Sequence, residues 1–121
     1  MTEQQRNVEP QALARKIALF AEEKKASDIV VLDVAGLTTV AEAFVICSGG
    51  SEPQLAAIVS SIVDGLVAEE ITPSHRHRTT ASHWIVLDYG SVIVHIFTPP
   101  ERAFYKLEQL WSSAKVLLRI Q

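Results

Sequence analysis

The apolar positions of this chain follow two kinds of spacing, which separate predicted helices from predicted strands. Three stretches carry apolar residues at helical spacing behind a proline or a capping pattern. They predict helices over Pro10–Lys25, Glu52–Glu69 and Pro100–Ser112. The last of these carries the stripe Phe104, Leu107 and Trp111.

The remaining apolar runs are short and rich in β-branched residues, which is typical of strands. Ile29–Leu32 and Phe44–Cys47 show no alternation, so each is predicted to be buried on both faces. The polar stretch that begins at Ile71 and runs through Ser82 predicts an edge strand and an exposed loop, and the tail Ala114–Gln121 is expected to pack back on the body. Together with the hairpin described next, these elements predict an α/β fold with a mixed sheet of about five strands flanked by helices.

The best-defined feature is a hairpin in which Trp84–Tyr89 and Val92–Thr98 flank the pair Gly90-Ser91, which suits a two-residue loop of the II′ kind. This register pairs Tyr89, Leu87 and Ile85 with apolar partners and predicts one core face. The opposite face pairs three mixed sets, Trp84 with Phe97, Val86 with His95 and Asp88 with Ile93. That face is either a recognition surface with aromatic anchors or a second buried face whose Asp88 and His95 are satisfied by hydrogen bonds, and the pattern favours neither.

Composition limits the class of protein. The chain has 121 residues, of which 48% are hydrophobic, and its net charge is −3, so one globular domain over residues 1–121 is expected. The one cysteine, Cys47, excludes an internal disulfide, and no apolar run approaches the ~20 residues of a membrane span. We therefore expect a cytoplasmic protein, for which a basic protein partner fits the charge better than nucleic acid does.

Metal chemistry finds little support in the sequence. His75 and His77 are two residues apart, but Arg76 and Arg78 beside them would repel a cation, and no Cys pair or carboxylate set accompanies them. A solvated basic loop is the better interpretation of His75–Arg78, and we predict no metal and no cofactor. Cys47 is better explained as a small buried strand-end residue than as a nucleophile.

A phosphate-binding turn is the other chemical candidate. Ser48–Ser51 joins a strand to a helix and could present backbone N–H groups, but an ordinary turn that ends in an N-cap explains it better. The arrangement also resembles nucleotidyltransferases, whose metal ions need two adjacent carboxylates. Here Asp33 and Asp88 each stand alone, so that enzymatic hypothesis loses most of its weight.

Several segments in order resemble the ribosomal silencing factor family, also called the Iojap family. They are Asp28–Val34 with Gly36-Leu37, Phe44–Gly49 with Ser51, Trp84–Gly90 with Val92–Phe97, and Arg102–Trp111. The resemblance covers about Leu13–Trp111. It is much more specific than any single motif because four segments occur in the same order.

The resemblance implies a non-enzymatic regulator with a nucleotidyltransferase-like fold that lacks the catalytic carboxylates. Members of the family bind the large ribosomal subunit through ribosomal protein fourteen, prevent joining with the small subunit when nutrients are scarce, and are often homodimers when free. By the same resemblance, the partner-binding residues are expected to be Trp84, Asp88, Tyr89, Arg102 and Tyr105.

The chain departs from the family pattern at three acidic positions, which are neutral or basic here. His77-Arg78 replaces Glu-Gly before the hairpin, His83 replaces Asp before the tryptophan, and Ser91 replaces Asp in the turn. These changes bear on how tightly the chain holds a basic partner. The second hypothesis is an enzyme of nucleotide or phosphoryl transfer that uses the Ser48–Ser51 turn with Asp33 and Asp88.

Overall fold

A computed structural model describes residues 9–78 and 83–121, and these residues form helices on both sides of a mixed β-sheet. The helices are α1 (Pro10–Glu23), α2 (Glu52–Val67), α3 (Pro99–Tyr105) and α4 (Leu107–Leu110). The strands are β1 (Ser27–Asp33), β2 (Ala43–Ser48), β3 (His75–Arg78), β4 (Trp84–Asp88), β5 (Val92–Phe97) and β6 (Lys115–Ile120). The predicted α/β class is confirmed.

The sheet has the strand order β3-β4-β5-β2-β1-β6. β2 and β5 pair in parallel, and the other neighbouring pairs are antiparallel. The predicted number of strands was too low because the tail forms β6, which pairs with β1 and does not merely pack on the body. The predicted edge strand is observed as β3, and the assignment of His75–Arg78 to a solvated basic loop was wrong, because these residues pair with β4. Residues 79–82 of that polar stretch lie outside the described residues.

The hairpin has the predicted register. Trp84 pairs with Phe97, Val86 with His95 and Asp88 with Ile93. Gly90 has a φ of +84°, which a glycine adopts without the steric cost that a Cβ would impose. The N–H of Ser91 donates to the carbonyl of Tyr89 at 3.1 Å, so the loop closes within three residues.

Both long helices end two residues before the predicted ends, and both end in the same motif. Lys25 (φ 61°) and Glu70 (φ 64°) adopt the left-handed conformation. The next residues, Ala26 and Ile71, donate their N–H groups back to Ala21 and Leu66 at 3.2 and 3.0 Å. These bonds define Schellman motifs, which usually contain glycine at the left-handed position.

The sheet separates two apolar clusters. The first lies between the sheet and α1 and α2, and includes Ile85, Leu87 and Val94. The second lies on the other face, where Phe44 and Ile46 are covered by Leu107, Trp111 and Ala114. The sheet is therefore covered on both sides at β2 and β1, as the absence of alternation in those strands predicted.

The third predicted helix is wrong as one continuous element. Lys106 has a φ of +52° and divides it into α3 and α4. The break turns Leu107 and Trp111 onto the second apolar cluster and leaves Phe104 77% exposed, so the three residues do not share one face. The similarity to nucleotidyltransferases stays a prediction.

Candidate partner-binding surface

The second face of the hairpin is half covered. On β5, Ile93, His95 and Phe97 are 8%, 8% and 0% exposed. Their partners on β4, Trp84, Val86 and Asp88, are only half-buried. The part of this face on β5 is therefore buried, and β4 carries the accessible part, which stays a candidate recognition surface.

Trp84 is held in place by rings on both sides. It stacks on Phe97 with ring centroids 4.8 Å apart, and Tyr105 of α3 packs on it at 4.6 Å. Its indole N–H donates to Nδ1 of His95 at 3.3 Å. Burial lowers the pKa of His95 to about 4, so the imidazole is neutral at pH 7 and its Nδ1 is available as an acceptor.

We call Trp84, Phe104 and Tyr105 the aromatic surface. The ring of Phe104 meets Tyr105 edge to face at 5.1 Å, and the two side chains are 77% and 43% exposed. The sequence pattern missed Phe104 because it assigned this residue to the buried stripe of an unbroken helix. A row of exposed aromatic rings on a fixed backbone is typical of interface anchors.

Asp88 places a negative charge on the same face of β4. Its side chain is 34% exposed, and Oδ1 accepts the N–H of Gly90 at 2.8 Å. Oδ2 lies 4.0 Å from Nδ1 of His75 on the neighbouring strand. One carboxylate oxygen therefore orients the hairpin loop while the other faces the surface.

Arg102 is largely withdrawn from the surface, with a side chain only 11% exposed. Its Nε donates to Oε1 of Glu108 at 2.7 Å, and Nη1 donates to Oγ of Ser48 at 2.9 Å. The hydrogen bond with Arg102 lowers the pKa of Glu108, which keeps the ion pair charged. Arg102 thus ties α3 to α4 and to the end of β2.

Tyr89 was expected to contact the partner, and this expectation was wrong because its side chain is buried. It is 1% exposed and belongs to the first apolar cluster, on the helix-covered face of the sheet. Its hydroxyl has no hydrogen-bond partner among the described residues, and burial raises its pKa to about 12 despite the nearby charge of Arg76. The alternation along β4 explains the burial, since Tyr89 shares parity with Ile85 and Leu87.

The groups of the enzymatic hypothesis are not brought together. Asp33 lies beside Ala43 at the start of β2, and Asp88 lies at the same end of the sheet, whereas the Ser48–Ser51 turn follows the end of β2. Five residue steps of about 3.3 Å separate the two ends by roughly 16 Å. One site cannot include both.

The Ser48–Ser51 turn has the structure of an N-cap. Oγ of Ser51 accepts the N–H of Gln54 at 3.2 Å, and Oε1 of Gln54 accepts the N–H of Gly50 at 2.7 Å. Gly49 donates its N–H to the carbonyl of Phe97 at 2.8 Å. The amides that a phosphate would need are therefore bonded within the protein.

The other chemical candidates give no site in the described part of the chain. Cys47 is fully buried, and burial raises its pKa to about 12, so its thiol stays protonated and is a poor nucleophile. Among the side chains that the structure describes, in residues 9–76 and 83–121, no three His, Cys, Asp or Glu are grouped so that they could hold a metal ion. None of the described helices has the length and apolar character needed to cross a membrane.

Comparisons with known proteins agree on one family. The family model described as "Ribosomal silencing factor during starvation" matches residues 7–121. The Bacillus subtilis protein named "Ribosomal silencing factor RsfS" is 39% identical over 100 residues, which cover 82% of this chain and 85% of that protein.

A more distant relative and a solved structure extend the match. The Mus musculus protein named "Mitochondrial assembly of ribosomal large subunit protein 1" is 31% identical over 93 residues, covering 74% of this chain and 41% of that protein. A crystal structure of a Chromobacterium violaceum protein, 27% identical, superimposes with a TM-score of 0.82 over 87% of this chain and 88% of that one. The chain therefore belongs to the ribosomal silencing factor family.

Proposed function

We propose that this protein binds the large ribosomal subunit through ribosomal protein fourteen, prevents joining with the small subunit and so represses translation when nutrients are scarce. It acts by occupying a surface and catalyses no reaction. The observation that carries the proposal is the aromatic surface, in which the exposed Phe104 and Tyr105 adjoin the half-buried Trp84, on a member of a family named for ribosomal silencing. The mouse relative's name supports the choice of the large subunit.

The aromatic surface and the charge of Asp88 contribute to binding in different ways. Exposed rings supply apolar area that is lost from water on binding, and few such residues carry most of an interface's free energy. Asp88 and the net charge of −3 favour a basic partner and increase the association rate. Arg102 contributes as a positioning residue, because it fixes the helix that carries Phe104 and Tyr105.

The binding test compares two residues of the aromatic surface with an exposed apolar residue on another side of the molecule. Phe104→Ala and Trp84→Ala should each weaken binding to isolated large subunits, measured by co-sedimentation. The loss of binding free energy should be at least ~2 kcal/mol, about 30-fold in Kd. Leu19→Ala removes a side chain that is 55% exposed on α1, and it should bind like the unmodified protein. Equal loss in all three variants, or none in the first two, contradicts the proposal.

The exclusion mechanism has its own test. In a light-scattering assay of subunit joining, the protein should lower the amount of joined ribosomes in proportion to its occupancy, and excess small subunits should reverse the effect. Preformed joined ribosomes should resist it. Stable binding to joined ribosomes without any effect on joining is incompatible with this mechanism.

The charge contribution is tested at Asp88. Asp88→Asn keeps an oxygen that can accept the Gly90 N–H but removes the negative charge. We expect a several-fold slower association with large subunits at low salt and a much smaller difference at high salt. An effect that is independent of salt would assign Asp88 a structural role only.

We further propose that the free protein is a cytoplasmic homodimer that associates with neither membranes nor specific nucleic-acid sequences. An exposed aromatic surface supports self-association, since apolar area is left in water when no partner is bound. Sedimentation equilibrium should give twice the chain mass of 13.3 kDa. A monomer at all concentrations contradicts the dimer without affecting ribosome binding.

A further inference from the structure

A crevice lies where β2 and β5, the parallel pair of the sheet, both end. After β2 the chain enters α2 on the first face of the sheet, whereas after β5 it enters α3 and α4 on the second face. Adjacent parallel strands whose connections leave on opposite faces open a gap at their carboxyl ends, and ligands of α/β proteins commonly bind there.

The crevice is an open cavity of about 500 Å³, and Asp28, Pro99, Ala103 and Lys106 in its lining are exposed. Its walls include Asp28, Ser48, Pro99, Arg102, Ala103 and Lys106. It lies at the opposite end of β2 from Asp33 and Asp88, and of the enzymatic groups considered above only Ser48 lines it.

Two features direct charged groups into this cavity. The register of β1 shifts between Ser27 and Val30, and Asp28 within this bulge has a φ of +49°. Bulges re-aim side chains and are common beside functional sites. Lys106 lies at the left-handed break between α3 and α4, and both residues line the same space.

Arg102 provides a fixed second cation. Glu108 and Ser48 accept from two of its five N–H groups, which orients the guanidinium in the lining of the cavity. Asp28 and Glu108 bring negative charge to the lining and Lys106 and Arg102 bring positive charge, so the cavity carries both signs and little net charge. A ligand with a single charge would be repelled by the two groups that carry its own sign. A small zwitterion can instead place each of its charges beside groups of the opposite sign.

We propose that this crevice binds a free α-amino acid, with Asp28 facing its ammonium group and Lys106 and Arg102 facing its carboxylate. Pro99 and Ala103 supply the apolar wall for the side chain of the ligand. This site does not depend on the proposed ribosome binding, and its test uses the purified chain alone.

Isothermal titration with each of the twenty L-amino acids tests the proposal. At least one should bind with a Kd below ~1 mM, about −4 kcal/mol, which is within reach of a ligand of this size. The tightest ligand is then compared with the amine that lacks its carboxylate and the acid that lacks its ammonium group. Each analogue should bind at least ~10-fold more weakly, because one charged pair is lost.

Matched variants locate the ligand. Asp28→Asn and Lys106→Asn both keep a residue that tolerates the left-handed conformation, so the fold is retained. Each should weaken amino-acid binding at least ~5-fold, whereas Lys115→Gln, at the far end of the sheet, should leave it unchanged. A Kd above ~1 mM for every amino acid, equal binding of a single-charge analogue or inorganic phosphate, or insensitivity to either variant overturns the proposal.

Discussion

His95 should make the stability of this protein fall as the pH is lowered through the range from about 6.5 to 4. Burial lowers its pKa from an ordinary value of 6.5 to about 4. The unfolded chain therefore binds a proton more readily than the folded protein does, and stability that is fully present above pH 6.5 is lost as the pH falls toward 4. At 1.36 kcal/mol per pKa unit, the full loss is roughly 3 kcal/mol, and about 2 kcal/mol is lost by pH 5.

The assay is urea unfolding of the unmodified protein and of His95→Gln at pH 7.5, 6, 5 and 4.5. The glutamine amide oxygen can still accept the indole N–H of Trp84, and it does not titrate. The difference in unfolding free energy between the two proteins should change by about 2 kcal/mol between pH 7.5 and 5, and contributions from the other titrating groups cancel in it. Parallel curves for the two proteins would refute the reasoning.

Three stability predictions follow from packing and backbone geometry. Leu87→Ala, at a fully buried position of the core face, should cost ~2–5 kcal/mol in chemical denaturation, and a smaller loss would show that the faces of the hairpin are misassigned. Lys25→Gly should raise stability by ~0.5–1 kcal/mol, because glycine adopts the left-handed Schellman position without strain, and a lower melting temperature would contradict this. Gly65→Ala should cost ~1–3 kcal/mol, since its Cβ would lie 2.5 Å from the ring of Phe20, and Phe20→Leu in the same chain should restore part of the loss.

The hairpin and its register could be predicted because they depend on local rules. Alternation with a period of two fixes which residues share a face, and Gly90 marks the loop. The same parity placed Trp84 on the accessible face. It also places Tyr89 on the core face, so the expected contact at Tyr89, which came from the family resemblance, conflicts with a rule that the sequence itself provides.

The break at Lys106 could not be predicted, because nothing local opposes a helix there. Lysine is an ordinary helix residue, and the left-handed conformation is held by tertiary contacts, namely the Arg102–Glu108 ion pair and the burial of Leu107 and Trp111. The exposure of Phe104 follows from that break and was missed with it. The crevice was also beyond sequence reasoning, since it joins Asp28 to Arg102 across two distant parts of the chain.

The parallel pairing of β2 with β5 has a consequence for how the protein folds. β1 with β2 and β4 with β5 are antiparallel pairs of near neighbours in the chain, and hairpins of this kind form within about 1–10 μs. Joining them requires contacts such as Val45 with Val94, which closes a loop of many residues and must include α2. The entropy of that closure is lost before the contacts compensate for it. We therefore expect the pairing of β2 with β5, which must wait for this closure, to limit the folding rate.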